Sequence, residues 1–398
     1  MKILFLDQSG KSGGAELCLL DIARFFCHFP EDGQVDSEEG LSHDRALVGL
    51  FEDGDFRLLL DAHQIPVQVL ADRAIQVRKS SGLLKGLASL KQLAPLVNQV
   101  AQLSRQFDVI YANTQKSLIV GAIASALSDR PLVYHLHDIL SAEHFSSINR
   151  RLSVLMANRA KLVIANSQAT RSAFIEAGGR AELVEVVYNG FDSAAYQTGS
   201  DPTLRTALGL DQRFVVGQFS RLSPWKGQHV LLQALTQCDD QVAAVFVGDA
   251  LFGEQAYVQE LHNQVEQLGL SDRVRFLGFR TDVIPLMQSC DVVAHTSTAA
   301  EPFGRVIVEA MLCGKPAIAS KAGAALELID PGVNGWLTTP GSAVELAEAI
   351  EFCRQNSTNA ATVAQHAQQQ AKQQFDLAKT NQQIAHHLAM RLGLGQMA

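Results

Sequence analysis

Two short stretches in the second half of the chain carry residue types suited to a single piece of chemistry. Arg221-Leu222-Ser223-Pro224-Trp225-Lys226-Gly227 sets two cations five residues apart. Glu301-Pro302-Phe303-Gly304 is followed by Glu309, so two carboxylates stand eight apart with a glycine between them. An arginine fork and a lysine point charge suit diphosphate oxygens. Carboxylates suit hydroxyls. A fixed donor aimed at charge that develops on a departing diphosphate lowers a barrier by about 3–4 kcal/mol. Together the two stretches read as a holder for a nucleoside diphosphate attached to a sugar.

Each stretch needs an element to position it. Arg221 and Lys226 follow the β-branched run Phe214–Phe219, and Gly227 begins a helix. Glu301 lies in a Pro/Gly loop, and Glu309 lies in a helix opened by Gly304. The unsatisfied N–H groups of Phe303, Gly304 and Arg305 at that helix start are suited to sugar hydroxyls. Glu309 is surrounded in sequence by Ile307, Val308, Ala310, Met311 and Leu312. A carboxylate in so apolar a helix requires a partner, either a ribose diol or an arginine.

The first half holds two further candidates. Gly10-Lys11-Ser12-Gly13-Gly14-Ala15-Glu16 follows the first strand and opens a helix. Gly13 and Gly14 would let a phosphate or sugar approach backbone N–H groups there; a plain tight turn is the alternative. The stretch is not a P-loop, because Phe5 stands where a glycine is required, and its spacing is not that of a dinucleotide fingerprint. His135-Leu136-His137-Asp138 ends a strand, with both histidines on one face by alternation. One of them donating to a substrate oxygen is the favoured reading, with a structural histidine as the alternative. A zinc site would have only His144 as a nearby third ligand, and no metal is expected.

Strands are expected in the first half at Lys2–Asp7, Arg45–Leu50, Val67–Leu70, Asp108–Ala112, Leu132–Leu136, Leu162–Ala165 and Val184–Val187. In the second half they are expected at Phe214–Phe219, Ala243–Val247, Val274–Leu277, Val292–His295, Pro316–Ala319 and Gly335–Thr338. Amphipathic helical stretches lie between them. Such alternation means a parallel sheet with helices on both faces, and it occurs twice, so two Rossmann-like domains are expected. The turn cluster Tyr188–Asp192 sets the boundary: 1–188 as the first domain and 189–374 as the second, with 375–398 crossing back as a helix onto the first. Asp32–His43, acidic and Gly-rich, reads as a mobile loop.

The 398 residues carry a net charge of −8, which argues against a general nucleic-acid binder. Charge is unevenly placed: −8 over residues 1–71, +8 over 72–180 and −8 over 181–398. A basic face on an acidic protein points to an anionic partner or to a solvated face. The six cysteines are scattered with no CxxC, as in a reduced cytoplasmic protein. No apolar run is long enough to span a bilayer.

These residues together resemble the retaining, nucleotide-sugar-dependent glycosyltransferases of family 4, with the GT-B fold. The resemblance runs along the whole chain. It takes in Gly13-Gly14, His137-Asp138, Asn189-Gly190, Arg221 with Lys226-Gly227, Gly248, Gly278, Glu301-Pro302-Phe303-Gly304, Glu309-Ala310 and Gly314-Lys315-Pro316. It implies two Rossmann-like domains facing each other across a cleft, the first for the acceptor and the second for the nucleotide sugar. Arg221 and Lys226 would then bind the donor diphosphate. Glu309 would hold the ribose, and Glu301 with the amides of Phe303 and Gly304 the donor sugar. Gly248 and the backbone at Phe279 and Arg280 would lie at the nucleotide, Gly13 and Gly14 would close over the phosphates, and His137 would touch the sugar near its reacting carbon.

The expected donor is a UDP-hexose or GDP-mannose, and the acceptor a glycan, polysaccharide precursor or lipid-linked hydroxyl. Neither cofactor nor metal is expected. A GT-B epimerase and a non-catalytic sugar-nucleotide-binding module are the alternatives. The segment Arg73–Arg105, with Arg78, Lys79, Lys85 and Lys91 among leucines, fits a helix lying on an anionic membrane, which would place the protein peripherally on the cytoplasmic face.

Overall fold

The computed structural model describes residues 1–393 except 9, 11, 29–44, 71–82, 198, 200–202 and 252. The expected mobile loop Asp32–His43 therefore lies outside the described residues. So do Arg73, Arg78 and Lys79 of the basic segment, and the side chains of Lys85 and Lys91.

The chain forms two compact units. The first, Met1–Gly190 with Leu377–Ala398, contains β1 (Ile3–Asp7), β2 (Ala46–Leu50), β3 (Val67–Val69), β4 (Val109–Ala112), β5 (Leu132–Leu136), β6 (Leu162–Ala165) and β7 (Val184–Val186). Its sheet order is β3-β2-β1-β4-β5-β6-β7, every pair parallel. The second unit, Phe191–Asp376, contains β8 (Phe214–Phe219), β9 (Val242–Val247), β10 (Val274–Phe276), β11 (Val292–His295), β12 (Ala317–Ser320) and β13 (Trp336–Thr338). Its order, β10-β9-β8-β11-β12-β13, is again wholly parallel.

The strands are near-continuous apolar runs because helices cover both faces, leaving no solvent face to alternate with. In the first unit Leu4 and Leu6 face one apolar layer, while Ile3 and Phe5 face the other. The C-terminal helix Leu377–Leu392 belongs to that second layer: Ile384, Ala385 and Leu388 are buried with Ile3, Phe5, Val133 and Ile164. The expected return of the chain onto the first domain is thus built from apolar burial.

The crossings fall two residues later than composition placed them. The Phe191 amide donates to the Phe375 carbonyl at 2.8 Å, and Phe191 bridges Asp376. This pairing holds Phe375 and Asp376 in the second unit, so the chain leaves the first after Gly190 and returns at Leu377. The helical stretch that follows Ser342 is interrupted at Asn356, with a new helix from Ser357, and again at Phe375 and Asp376 before the helix Leu377–Leu392.

In both sheets the first strand has its successor on one side and its fourth on the other. The chain reverses its winding at β1/β4 and at β8/β11. In open α/β sheets ligands collect outside the carboxyl ends of strands at such switch points.

Candidate functional site

The second unit assembles its polar residues beyond β8 and β11. After β8 the chain passes Ser220 and Arg221, makes a tight turn at Pro224–Lys226, and enters the helix Gln228–Leu235 through Gly227. Gly227 has φ +70°, and a Cβ there would lie 2.0 Å from the Thr296 carbonyl oxygen, so only glycine fits. The turn is laced to the end of β11. Thr296 Oγ1 donates to the carbonyls of Lys226 and Gly227, both at 2.9 Å, and Gln218 Nε2 donates to the Lys226 carbonyl at 2.9 Å. Gln228 Nε2 donates to the Arg221 carbonyl at 2.9 Å.

This scaffold aims Lys226 at Glu301. Lys226 Nζ lies 2.7 Å from Glu301 Oε2, with side-chain exposures of 15% and 12%, and sits 4.0 Å from the centre of the Trp225 ring. The same Oε2 accepts from Ser297 Oγ at 3.0 Å and from His295 Nε2 at 3.2 Å. Burial alone would raise the Glu301 carboxyl, but the Lys226 ammonium and the His295 bond overcome it and hold the group well below the ordinary carboxylate range.

Past Glu301, Gly304 caps the helix Arg305–Leu312. Phe303 points inward, its ring packed with Phe191 and Phe375, which fixes the loop that presents its backbone. Glu309 does have the arginine weighed for it: Arg305 Nε lies 3.5 Å away, one helical turn back. Burial nevertheless pushes the Glu309 carboxyl above its ordinary value, against the pull of Arg305. At the neighbouring strand ends, the Gly248 amide donates to the Gly278 carbonyl at 2.8 Å. Phe279 is largely exposed, and Arg280 forks onto Asp282 at 2.7 and 2.6 Å.

The first unit gathers a second cluster at its own switch point. Asn113, just past β4, donates from Nδ2 to Asp7 Oδ2 at 2.7 Å and to the Ala15 carbonyl at 3.1 Å. Its Oδ1 meets His137 Nε2 at 2.9 Å. The rings of His135 and His137 lie 4.0 Å apart, on one face as strand alternation requires. His135 is buried against the Tyr111 hydroxyl at 2.9 Å, which makes it the structural histidine of the two. Gly13 and Gly14 open the helix Gly14–His28, and the carboxylate of Glu16 turns back onto the amides of Gly13 and Glu16. A glutamate at the third helical position caps a helix start in this way, so an anion at the turn would meet Glu16 first. Burial, then Asp7 and Asp138, push the Glu16 carboxyl up to about 8.

Lys226, Glu301 and the start of the Glu309 helix are therefore brought together in one unit, with Arg221 beside them in the chain. Gly13, Gly14 and His137 stand together in the other. His295, Ser297 and Asn113 were not singled out in the sequence. His295 and Ser297 bracket the strand end just before Glu301, and alternation past the strand would have set them on one side. Asn113 carries no sequence signal beyond ending a strand. Among the described residues, no group of three or more His, Cys, Asp or Glu is arranged to hold a metal ion, and no helix is long and apolar enough to cross a membrane.

Two family models match the chain: Glycosyltransferase Family 4 over residues 54–195 and Glycosyl transferases group 1 over residues 200–374. Along its length the chain is 58% identical to Anabaena Alr3699/HepE, crystallised in complex with UDP-glucose; the match covers 98% of this chain and all of that one, with a TM-score of 0.88. The chain belongs to the family 4, group 1 glycosyltransferases. It is also 28% identical to the D-inositol 3-phosphate glycosyltransferase of Corynebacterium aurimucosum, over 74% of this chain and 75% of that one. The enzyme of the same name from Mycobacterium sp. (strain JLS) is 33% identical over 171 residues, 42% of this chain and 38% of its own. The protein is thus a glycosyltransferase of GT-B architecture, and the two sheets are its two Rossmann-like domains.

Proposed function

We propose that this glycosyltransferase moves a hexosyl group, with retention, from a UDP-sugar to a hydroxyl of a glycan, polysaccharide precursor or lipid-linked acceptor. UDP-glucose is the first donor to test. The reading rests above all on the Lys226–Glu301 pair at the second switch point, in a chain so close to a protein that binds UDP-glucose. Arg221 and Lys226 take the diphosphate, Lys226 exchanging Glu301 for the leaving phosphate oxygens. Glu301, released from that cation, faces the donor sugar with the amides of Phe303 and Gly304. Glu309, whose carboxyl burial holds high, gains from a ribose diol the donors that a single arginine does not supply. Gly248 and the backbone at Phe279 and Arg280 border the base.

The acceptor oxygen attacks the anomeric carbon on the side from which the diphosphate departs. The bond from that carbon to the phosphate oxygen breaks as the new glycosidic bond forms, and the acceptor proton passes to a phosphate oxygen. No covalent sugar–enzyme bond forms, unlike in retaining hydrolases, where two carboxyl groups about 5 Å apart flank the sugar. Arg221 and Lys226 bring the charge that a divalent ion supplies elsewhere, so turnover is expected without added metal.

The experiment is a thermal-shift panel with UDP, GDP, ADP and dTDP, followed by turnover with the matching sugars and NMR of the product anomer. UDP at 100 times its dissociation constant should stabilise by about 2.7 kcal/mol. A response to GDP alone would redirect the donor to GDP-mannose. An inverted product would sink the retaining mechanism.

We further propose that an anionic membrane surface meets the first unit through its basic segment 73–105. The helix Ser147–Ala157 supports this, since it exposes Ile148 and Leu155 beside Arg150 and Arg151 and bears no acidic residue. Changing Lys79, Lys85 and Lys91 to Gln should weaken binding to phosphatidylserine vesicles at low salt. Unchanged partitioning would reject this face.

A further inference from the structure

The first unit contains a small cavity of about 10 Å³, lined by His135, Asn189 and Asn381 with Cys18, Val187 and Ile384. Each of the three polar residues is more than nine-tenths buried, and each sends one atom without a hydrogen-bond partner: His135 Nε2, Asn189 Oδ1 and Asn381 Oδ1. Leaving three such atoms dry would cost about 1–3 kcal/mol apiece. The room is that of one water centre, and a buried water makes two to four hydrogen bonds.

We infer that this cavity is a binding site for one resident water molecule, held by His135, Asn189 and Asn381. The donors and acceptors balance in only one way. Two amide oxygens take both water protons. The water oxygen then accepts from His135, so the imidazole carries its proton on Nε2. His135 Nδ1 is left bare, and the Tyr111 hydroxyl, 2.9 Å away, donates to it. The water therefore sets the tautomer of a buried, neutral histidine whose ring lies 4.0 Å from that of His137.

The position gives the water a task. Asn189 immediately precedes Gly190, where the chain leaves the first unit, and Asn381 lies one helical turn past Leu377, where it returns. The two segments touch here: Thr380 Oγ1 donates to the Tyr188 carbonyl at 3.3 Å, and a Cβ on Gly190 would lie 2.8 Å from the Leu377 Cα. Asn381 Nδ2 reaches the Asp21 carbonyl at 3.5 Å. The water pins both chain crossings to the end of β5.

Crystallography of the full chain, at a resolution that shows ordered water, tests this directly. A full-occupancy peak within hydrogen-bond distance of all three atoms is expected. No peak, or one that reaches only one of them, overturns the site. NMR of histidine-labelled protein should show His135 as the Nε2–H tautomer, and the Nδ1–H tautomer would overturn the assignment. Asn381→Leu should remove the peak and lower the unfolding temperature. Should that variant fail to fold, the unmodified protein's density and tautomer still decide the question.

Discussion

Glu16 in the first unit and Glu301 in the second are both buried carboxylates beside the switch point of a parallel sheet, yet their surroundings drive them in opposite directions. Glu301 meets an ammonium, a hydroxyl and an imidazole on one oxygen, and its carboxyl is held low. Glu16 meets backbone amides, but Asp7 and Asp138 stand near it, and its carboxyl is pushed up to about 8. Burial acts on both with the same sign. The nearest charge decides the outcome, because desolvation penalises whichever carboxylate lacks a cation. One unit thus presents a fixed negative charge already paired with a cation, and the other a carboxyl poised to hold a proton near neutral pH.

Removing one half of the pair breaks the comparison most severely. Lys226→Ala should lower turnover at least about 100-fold. It should also cost about 3–5 kcal/mol of stability, because it strands a buried carboxylate. Glu301→Gln should lose activity to a similar degree with the fold intact, as checked by circular dichroism. Activity near normal in either variant would overturn the placement of the site. The Glu301 carboxyl is depressed, so its contribution to stability is present above the ordinary carboxylate value and lost only as pH falls through the lower, folded value. The difference in stability between the unmodified protein and Glu301→Gln should therefore shrink only in strong acid.

Glu16 should behave in the opposite sense. Its folded value is raised, so the stability it contributes is fully present below the ordinary 4.5 and lost as pH rises through about 8. Glu16→Gln should flatten the pH dependence of unfolding across that window and raise stability at its alkaline end, by an amount on the order of 2–4 kcal/mol. Urea unfolding at several pH values measures this. An unchanged slope would mean that burial, with Asp7 and Asp138, does not hold the Glu16 carboxyl up in the folded protein.

How far the sequence reveals these two regions depends on the range of the interactions that build them. Strands Leu132–Leu136, Leu162–Ala165, Phe214–Phe219 and Val292–His295 have the bounds expected from their apolar runs, because a strand buried on both faces writes its length directly into composition. The capping of Gly13 by Glu16 is legible too, as a glutamate three residues past a helix cap. Asn113 is not: its partners Asp7 and Ala15 are about a hundred residues away, and only the pairing of β1 with β4 brings them together. The charge state of Glu16 depends likewise on Asp138, and that of Glu301 on Lys226. The units divide at Gly190/Phe191, inside the Tyr188–Asp192 turn; where within it is set by a single backbone pairing, Phe191 with Phe375, which carries no compositional mark.

His295 sharpens the comparison at a smaller scale. It touches Glu301 at 3.2 Å, a longer contact than that of Lys226, and acts through that carboxylate as a positioning residue. His295→Gln keeps a donor on a different stem. Turnover should fall about 5- to 10-fold, equivalent to one hydrogen bond to a charged group. The loss should appear in kcat rather than KM if the residue orients Glu301 for the reacting sugar. A loss confined to KM would instead assign His295 to uniform donor binding.

Ser297 gives the smallest effect and the cleanest reading. Its hydroxyl donates to Glu301 Oε2 at 3.0 Å, so Ser297→Ala removes one donor from a carboxylate that keeps two. Serine to alanine leaves almost no cavity, and the remaining ammonium still fixes the charge. About 1 kcal/mol is expected, roughly a fivefold fall in kcat with the fold unchanged. Combined with His295→Gln, the losses should exceed the sum of the two in free energy, because the second change leaves Lys226 with only a displaced amide to help orient the carboxylate. Strict additivity in that double-mutant cycle would show that His295 and Ser297 act on Glu301 independently, and that no coupled network underlies the contrast with Glu16.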